Sequence, residues 1–145
     1  MIWLKNYSLQ EIATIMDRPS LVKLIDIKIT EVSDDYLKAS MPVDERTHQI
    51  YGILHGGATC ALVESVGSLA SGMCIDPHKQ YSVGSQISVN HLRPISSGVV
   101  IATCRNIHLG RQKHVWDIMV HAQGTGKLIA KGELTCAVVD GNLKL

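Results

Sequence analysis

Small and apolar side chains fill residues 54–74, and this pattern predicts one long, slim helix at the centre of the domain. Between Ala58 and Cys74 the run has no proline, and Glu64 is its one charged residue. A helix that is apolar on nearly all sides belongs in a protein interior. The polar residues scattered along the run and the lack of a basic flank argue against a membrane span.

The other elements are predicted from apolar residues at helical spacing and from alternation of polar and apolar residues. Ser8 and Glu11 form a capping-box pattern, and the apolar residues that follow predict a short amphipathic helix. Alternating residues predict a hairpin of residues 24–32 and 36–43. Short turns separate four later strand-like runs, which predict an antiparallel meander of residues 82–93, 99–109, 113–122 and 128–139. The order predicts an α+β fold with one curved antiparallel sheet wrapped around the central helix.

Length and composition limit the class of protein. A chain of 145 residues fits a single domain over residues 1–145. Its 46% hydrophobic content and net charge of +1 exclude a disordered chain and make nucleic acid an unsuitable partner. We find no signal peptide and no apolar span of membrane length, so we expect a cytoplasmic protein without a membrane partner.

Cysteine and histidine spacing gives no sign of a metal centre. The four cysteines are far apart in the sequence, form no C-x-x-C and lie in apolar segments, as free buried thiols do. The seven histidines show no H-E-x-x-H or other close ligand spacing. We therefore expect no disulfide, no zinc and no metal site.

Glu64 is the residue of the central helix that most needs an explanation. A buried carboxylate is costly unless it is paired or hydrogen-bonded. A structural ion pair, or a position at the helix edge, would account for it; so would a catalytic carboxylate with a tuned pKa. Ser68, four residues later, lies on the same helix face and would reach the same ligand, although it could equally be a small packing residue.

Gly56 and Gly57 lie where the helix begins, and the unbonded amides there suit an oxyanion. A plain glycine-rich turn is the alternative. Nine residues separate His55 from Glu64, which amounts to roughly 13.5 Å of rise and about half a turn. If both residues are catalytic, the simplest geometry pairs the helix start of one subunit with the glutamate of another across a two-fold interface.

Two competing motifs are incomplete. The turn at Gly124 resembles a P-loop, but His121 stands where the first glycine belongs and Leu128 replaces the Ser or Thr. No G-x-S-x-G occurs, so the chain lacks the nucleophile elbow of a serine hydrolase.

Residues 49–58, followed by Glu64-Ser65-Val66-Gly67-Ser68, closely resemble the hotdog-fold acyl-CoA thioesterases of the PaaI-like superfamily. The match continues through Asn90-His91-Leu92-Arg93-Pro94 and residues 107–111. It is closest to the subgroup of 1,4-dihydroxy-2-naphthoyl-CoA hydrolases and glutamate-type 4-hydroxybenzoyl-CoA thioesterases. The resemblance implies the hotdog fold, and a homodimer with shared active sites that usually pairs again into a tetramer.

The resemblance also implies roles for individual residues. Glu64 matches the carboxylate that attacks the thioester carbonyl or activates water. Gly56 matches the amide donor that polarises the carbonyl. Gln49 and His55 match the polar pair that orients water and the departing thiolate, and Ser68 matches a hydroxyl beside the carboxylate.

Four further residues resemble those that meet the nucleotide end of coenzyme A: His91, Arg93, His108 and Arg111. Guanidinium groups suit phosphate recognition. A solvated strand-end arginine or a capped core histidine is the ordinary alternative, and for Arg111 the two interpretations are evenly balanced. Coenzyme A would enter as part of the substrate, so no separate cofactor is implied.

The sequence therefore indicates a metal-free acyl-CoA thioesterase, and the subgroup resemblance favours an aromatic acyl group. Hydrolysis in menaquinone synthesis and a broad role on aryl or medium-chain thioesters, including carrier-protein thioesters, both stay open. Two other classes remain: a non-catalytic acyl-CoA sensor and a hotdog enoyl-CoA hydratase.

Overall fold

The computed structural model describes residues 1–141, and residues 142–145 of the predicted domain lie outside this range. In chain order the elements are α1 (Leu9–Met16), α2 (Leu21–Leu24), β1 (Lys28–Val32), β2 (Tyr36–Val43), α3 (Gly56–Met73), β3 (Gln80–His91), β4 (Gly98–Leu109), β5 (Lys113–Ala122) and β6 (Leu128–Asp140). The strands form one antiparallel sheet in the order β1-β2-β4-β5-β6-β3. The predicted α+β hotdog architecture is confirmed.

Small residues let helix α3 lie close to the sheet, as its composition predicts. A Cβ atom on Gly67 would lie 2.5 Å from Leu134 Cδ2, and one on Gly132 would lie 2.7 Å from Val63 Cγ1. Glycine on each side therefore removes the atoms that would hold helix and strands apart. Much of the helix is buried in the core, through Thr59, Leu62, Val63, Val66, Gly67, Ala70, Ser71 and Met73.

The capping box of α1 is confirmed. Ser8 Oγ accepts a hydrogen bond from the Glu11 N–H at 3.2 Å, and the Glu11 carboxylate accepts one from the Ser8 N–H at 2.8 Å. Hydrogen bonds from Lys5 and then from Ser8 lower the pKa of Glu11 to about 2. These contacts start the helix so that Ile12 is fully buried in the core.

The prediction of a strand over residues 24–32 is wrong at its beginning, because β1 starts at Lys28. Ser20 caps a short helix instead, with its hydroxyl oxygen accepting from the Lys23 N–H at 3.3 Å. Asp26 then adopts a positive φ of 57° and redirects the chain. Alternation alone did not reveal this capped turn.

The predicted meander is confirmed for β4, β5 and β6, but the prediction that β3 is its first strand, next to β4, is wrong. β3 pairs with β6 rather than β4, and β2 takes the place beside β4. The segment between β3 and β4 does not reverse tightly, because the Ile95 carbonyl accepts from the Leu54 N–H at 2.8 Å. This bond holds the segment against the residue before the N-cap of α3, while the chain passes β6 and β5 to reach the position of β4.

The N-terminus packs into the core at the far end of α3. Trp3 is buried and stacks on Trp116, with ring centroids 6.2 Å apart and planes 12° from parallel. The Leu4 N–H donates to the Met73 carbonyl at 2.8 Å. Trp116 Nε1 donates to Ser71 Oγ at 2.7 Å, so the same ring also anchors the helix.

Across residues 1–141, no helix combines the length and the hydropathy that crossing a membrane requires.

His114 on β5 is a buried histidine whose protonation opposes folding. It is 4% exposed, and its Nδ1 has no hydrogen-bond partner among the described residues. Burial, and then the charge of nearby His108, lower the pKa of His114 below its ordinary value of 6.5. The unfolded chain therefore binds more protons than the folded one just below that pH, and the free energy of unfolding falls as the pH drops through this window.

We expect His114→Phe to reduce this acid sensitivity, because phenylalanine keeps a ring beside Trp116 and cannot take up a proton. The measurement is the melting temperature of both proteins from pH 8 to pH 5. The difference between them should change in favour of the variant below about pH 6.5. Parallel curves across that range would show that His114 contributes nothing to acid destabilisation.

Candidate active site

Helix α3 begins with a backbone amide that has no partner among the residues that the structure describes. His55 is the N-cap residue, and its Nδ1 accepts from the Gly57 N–H at 2.7 Å. The Gly56 N–H has no acceptor among residues 1–141. A donor of this kind at the positive end of an 18-residue helix is suited to developing negative charge on an oxygen.

The cap also determines the tautomer of the His55 ring. Because Nδ1 accepts a hydrogen bond, the neutral ring carries its proton on Nε2. His55 is exposed, so this Nε2–H is available as a second donor near the start of α3.

Gln49 lies in the turn that leads into α3. Its backbone N–H donates to the Ile53 carbonyl at 2.9 Å, and its side-chain oxygen accepts from the Tyr51 N–H. With the oxygen engaged in the turn, the amide nitrogen is the end of the side chain that can donate to a ligand. Gln49 and Gly56 line one cavity of about 340 Å³, together with Ile53, Leu54, Thr59, His91, Leu92, Arg93, Pro94 and Ile129.

His91 and Arg93 bring the end of β3 to this cavity. A Cβ atom on Gly56 would lie 3.0 Å from His91 Nε2, so the imidazole covers the first residue of the helix. The Arg93 guanidinium donates to the Leu128 carbonyl at 2.8 Å and is otherwise exposed. These positions place one imidazole and one guanidinium group on the cavity that the free Gly56 amide also lines.

Glu64 and Ser68 form a second group farther along α3. Glu64 is half-buried, and Ser68 Oγ donates to its Oε1 at 3.1 Å. The spacing of four residues placed both on one face, as the sequence predicted. No ion pair of Glu64 occurs within residues 1–141, so the alternative of a structural ion pair finds no partner in the part of the chain described.

These two groups do not meet within one protomer. Gly56 and Glu64 are eight residues apart on a continuous helix, which separates them by about 12 Å along its axis. Within one copy of the chain, the Gly56 amide and the Glu64 carboxylate are therefore too far apart to contact the same reacting group.

His108 and Arg111 lie at the opposite end of the sheet from His91. His108 is paired with Val115 near the β4–β5 turn, whereas His91 is paired with Ala130 at the start of β6. Both His108 and Arg111 are exposed. The structure thus divides the four predicted coenzyme A residues into two pairs.

Gly84 on β3 lies against the Glu64 side chain, a contact that the sequence did not lead us to predict. A Cβ atom on Gly84 would lie 2.9 Å from Glu64 Cδ, inside the space that the carboxylate occupies. A single glycine within a strand pattern indicates a bulge or the close approach of another group. Gly84 itself was therefore the signal in the sequence that could have revealed this contact.

The thiols and carboxylates of the described chain do not gather into a metal site. All four cysteines are free, and burial raises the pKa of Cys74 to about 12. Among residues 1–141 no group of three or more His, Cys, Asp or Glu side chains is arranged to hold a metal ion.

Comparison with known proteins gives a consistent family. Residues 51–129 match the family model described as the thioesterase superfamily. The 1,4-dihydroxy-2-naphthoyl-CoA hydrolase of Escherichia coli is 38% identical over 139 residues, which cover 96% of this chain and 100% of that protein. The proofreading thioesterase EntH of Cronobacter turicensis is 41% identical over 140 residues, covering 96% and 99% of the two chains.

A solved structure agrees with the sequence relatives. The crystal structure of a mutant of thioesterase PA1618 from Pseudomonas aeruginosa matches with a TM-score of 0.93 at 42% identity, covering 97% of this chain and 100% of that one. With a family match over more than half of its length and relatives near 40% identity over almost all of it, the chain belongs to the thioesterase superfamily and is a thioester hydrolase with the hotdog fold.

Proposed function

We propose that this acyl-CoA thioesterase acts on aromatic acyl groups and releases the free acid and coenzyme A from sites shared between two copies of the chain. The observation that carries the proposal is the presence on one helix of both an unbonded Gly56 amide, at its start, and a half-buried Glu64 that accepts a hydrogen bond from Ser68. Together, an amide donor and a carboxylate can catalyse the hydrolysis of a thioester.

The chemistry follows from what each group can donate or accept. The Gly56 N–H donates to the carbonyl oxygen and stabilises the negative charge that grows there in the transition state. Glu64 either attacks the carbonyl carbon or removes a proton from the water that does. The carbon–sulfur bond then breaks, and the thiolate leaves with the electron pair. If water attacked, the free acid is released directly; if Glu64 attacked, a mixed anhydride remains, and water cleaves it to release the acid and restore the carboxylate. Gln49 and the His55 Nε2–H supply donors for the water and for the departing sulfur.

The separation of Gly56 from Glu64 supports a site built by two protomers. Strand β3 is at the edge of the sheet and pairs with β6 alone among the described strands. The β3 strand of a second copy could pair antiparallel with this free edge. Val83 and Ile87 on this strand are 41% and 37% exposed, so pairing would also bury apolar surface. A two-fold dimer formed in this way would carry two equivalent sites, and a further pairing into a tetramer follows the family resemblance.

The same dimer would bring His91 and Arg93 of one copy to the same end of the joined sheet as His108 and Arg111 of the other copy. Antiparallel pairing of β3 strands places the β4–β5 turn of one copy at the end of the sheet where His91 of the other lies. His91 and Arg93 would meet the substrate near the reacting carbonyl, and His108 and Arg111 of the second copy would lie farther out. The long coenzyme A chain spans such a distance.

An aromatic acyl group is the part of the proposal supported by similarity, since one relative is a 1,4-dihydroxy-2-naphthoyl-CoA hydrolase. Hydrolysis of that thioester in menaquinone synthesis is one candidate reaction, and broader use of aryl and medium-chain thioesters is another. We place the reaction in the cytoplasm. It consumes water and the thioester only, with no metal or separate cofactor.

The test is release of free thiol from benzoyl-, 4-hydroxybenzoyl-, 1,4-dihydroxy-2-naphthoyl-, hexanoyl- and acetyl-CoA, with and without EDTA. We expect the three aryl thioesters to give higher kcat/KM values than acetyl-CoA by about tenfold or more, and EDTA to change nothing. A higher value for hexanoyl-CoA than for every aryl substrate would overturn the aromatic assignment. Binding without any release would favour the sensor, and hydration of crotonyl-CoA without release would favour the hydratase.

A further inference from the structure

Gly84 of β3 lies against the Glu64 side chain of α3. A Cβ atom on Gly84 would lie 2.9 Å from Glu64 Cδ and 3.1 Å from Oε2, and Oε1 would be closer still. A real Cβ essentially never approaches another heavy atom to less than 3.0 Å. The carboxylate therefore occupies space that any residue other than glycine would fill.

An irregularity in strand pairing falls beside this contact. Gly84 is paired with Cys136 and Gln86 with Thr135, so Ser85 is an extra residue in β3. The Ser85 hydroxyl donates to the Thr135 carbonyl at 3.1 Å and so stabilises this β-bulge. Such bulges bend a strand and redirect its residues, and they are frequent next to active sites.

The neighbouring glycines of the core show why Gly84 is different. Cβ atoms on Gly67 and Gly132 would meet Leu134 and Val63, which are fully buried and cannot move freely. Substitution there would disturb the core. At Gly84 the atom in the way is the end of a flexible, half-buried side chain, which can rotate aside. The fold would survive, but the carboxylate would change position.

We infer that Gly84 is a positioning residue for the Glu64 carboxylate, because its missing Cβ provides the slot that holds the carboxylate beside the Ser68 hydroxyl. This inference rests on the role proposed for Glu64. Glutamate has three rotatable side-chain bonds, so the Ser68 contact to Oε1 leaves much freedom, and the Gly84 slot removes it. Aspartate is one methylene shorter than glutamate and would not fill the slot.

The experiment measures Gly84→Ala against Gly72→Ala. Gly72 is in the same helix as Glu64 and has nothing within 4 Å of an added Cβ, which makes it a matched glycine-to-alanine control. With the best thioester of the panel, Gly84→Ala should lower kcat by about 10²-fold with KM nearly unchanged, because a displacement near 1 Å has this effect on a reacting group. Gly72→Ala should keep wild-type values.

A double-mutant cycle separates positioning from damage to the strand. Glu64→Asp should be slow by itself, and adding Gly84→Ala should cause no further loss, because the shorter carboxylate does not reach the added methyl group. An equal loss from Gly84→Ala in both backgrounds would overturn the inference, and so would wild-type activity of Gly84→Ala. An inactive wild-type enzyme would contradict the proposed function instead.

Stability gives an independent measurement if Gly84→Ala folds poorly. In the Glu64→Ala background the carboxylate is gone, so Gly84→Ala should not lower the melting temperature of that protein. If Gly84→Ala lowers the melting temperature equally with and without the carboxylate, the added methyl group meets the strand and not Glu64, and the inference fails.

Discussion

Glu64→Gln is expected to lower kcat for thioester hydrolysis by about 10³-fold, within the range that a positioned acid or base contributes. Glutamine has the same shape, so it can fill the space beside Gly84 and keep a bond with Ser68. It cannot take a proton from water and is a poor nucleophile. KM should change little, because the glutamine side chain fills the same space as the glutamate side chain. The measurement is steady-state release of free thiol by the purified enzyme.

Glu133→Gln is the matched control, since Glu133 is an exposed glutamate on β6 and should keep wild-type rates. Glu64→Ala should also be inactive while remaining folded, because the removal of a half-buried charge relieves desolvation. Normal turnover by either Glu64 variant would remove the carboxylate from the mechanism. A single turnover in ¹⁸O-water then tests for attack by the carboxylate, because label enters Glu64 only if Glu64 attacks the substrate and water cleaves the resulting anhydride at the Glu64 carbonyl carbon.

Gly56→Pro is expected to lower kcat by about 10²- to 10³-fold, the effect of losing one oxyanion donor. Proline removes the backbone N–H and suits the first position of a helix. The preceding residue, His55, already has the extended conformation that a following proline requires, with φ −70° and ψ 131°. The helix should therefore start normally while the donor is absent. The measurement is kcat and KM for the best thioester, with circular dichroism to confirm the helix.

Gly56→Ala is the control, because alanine keeps the N–H and adds the same Cβ, which would lie 3.0 Å from His91 Nε2. Its kcat should stay well above that of Gly56→Pro. Equal loss in both variants would mean that contact with His91, rather than the missing amide, is responsible.

Mixing the two inactive proteins then tests the shared site. A dimer of one Glu64→Ala subunit and one Gly56→Pro subunit would hold one intact site, so random exchange should restore about a quarter of wild-type activity. Verified mixed dimers without activity would exclude a site that spans the interface.

The sequence carried information about local structure well. The Ser8–Glu11 capping box and the spacing of Glu64 and Ser68 are short-range patterns, and both appear in the structure. The position of β3 beside β6 was not predictable in this way, because alternation defines a strand but not its neighbour. It rests on pairs of residues far apart in the sequence, such as Gln80 with Asp140.

The candidate site also combines local patterns with contacts between distant elements. Gln49 and Gly56 line one cavity together with His91, which the resemblance assigned to the nucleotide end of coenzyme A, and helix geometry separates Gly56 from Glu64. Contact between Glu64 and Gly84 arises from packing of a helix on a bulged strand, and no spacing rule connects residues in different elements. The roles of these residues remain predictions for the experiments above.

The stacked pair of Trp3 and Trp116 makes the chain its own optical probe. These are the two tryptophans of the protein, so its ultraviolet emission comes mainly from one buried site. Two buried indoles stacked at 6.2 Å are held in one fixed asymmetric environment, which should give a strong near-ultraviolet circular dichroism signal. Loss of that signal would report release of the N-terminal segment, and a red shift of the emission would report opening of the core. One label-free sample can thus resolve detachment of the first residues from global unfolding.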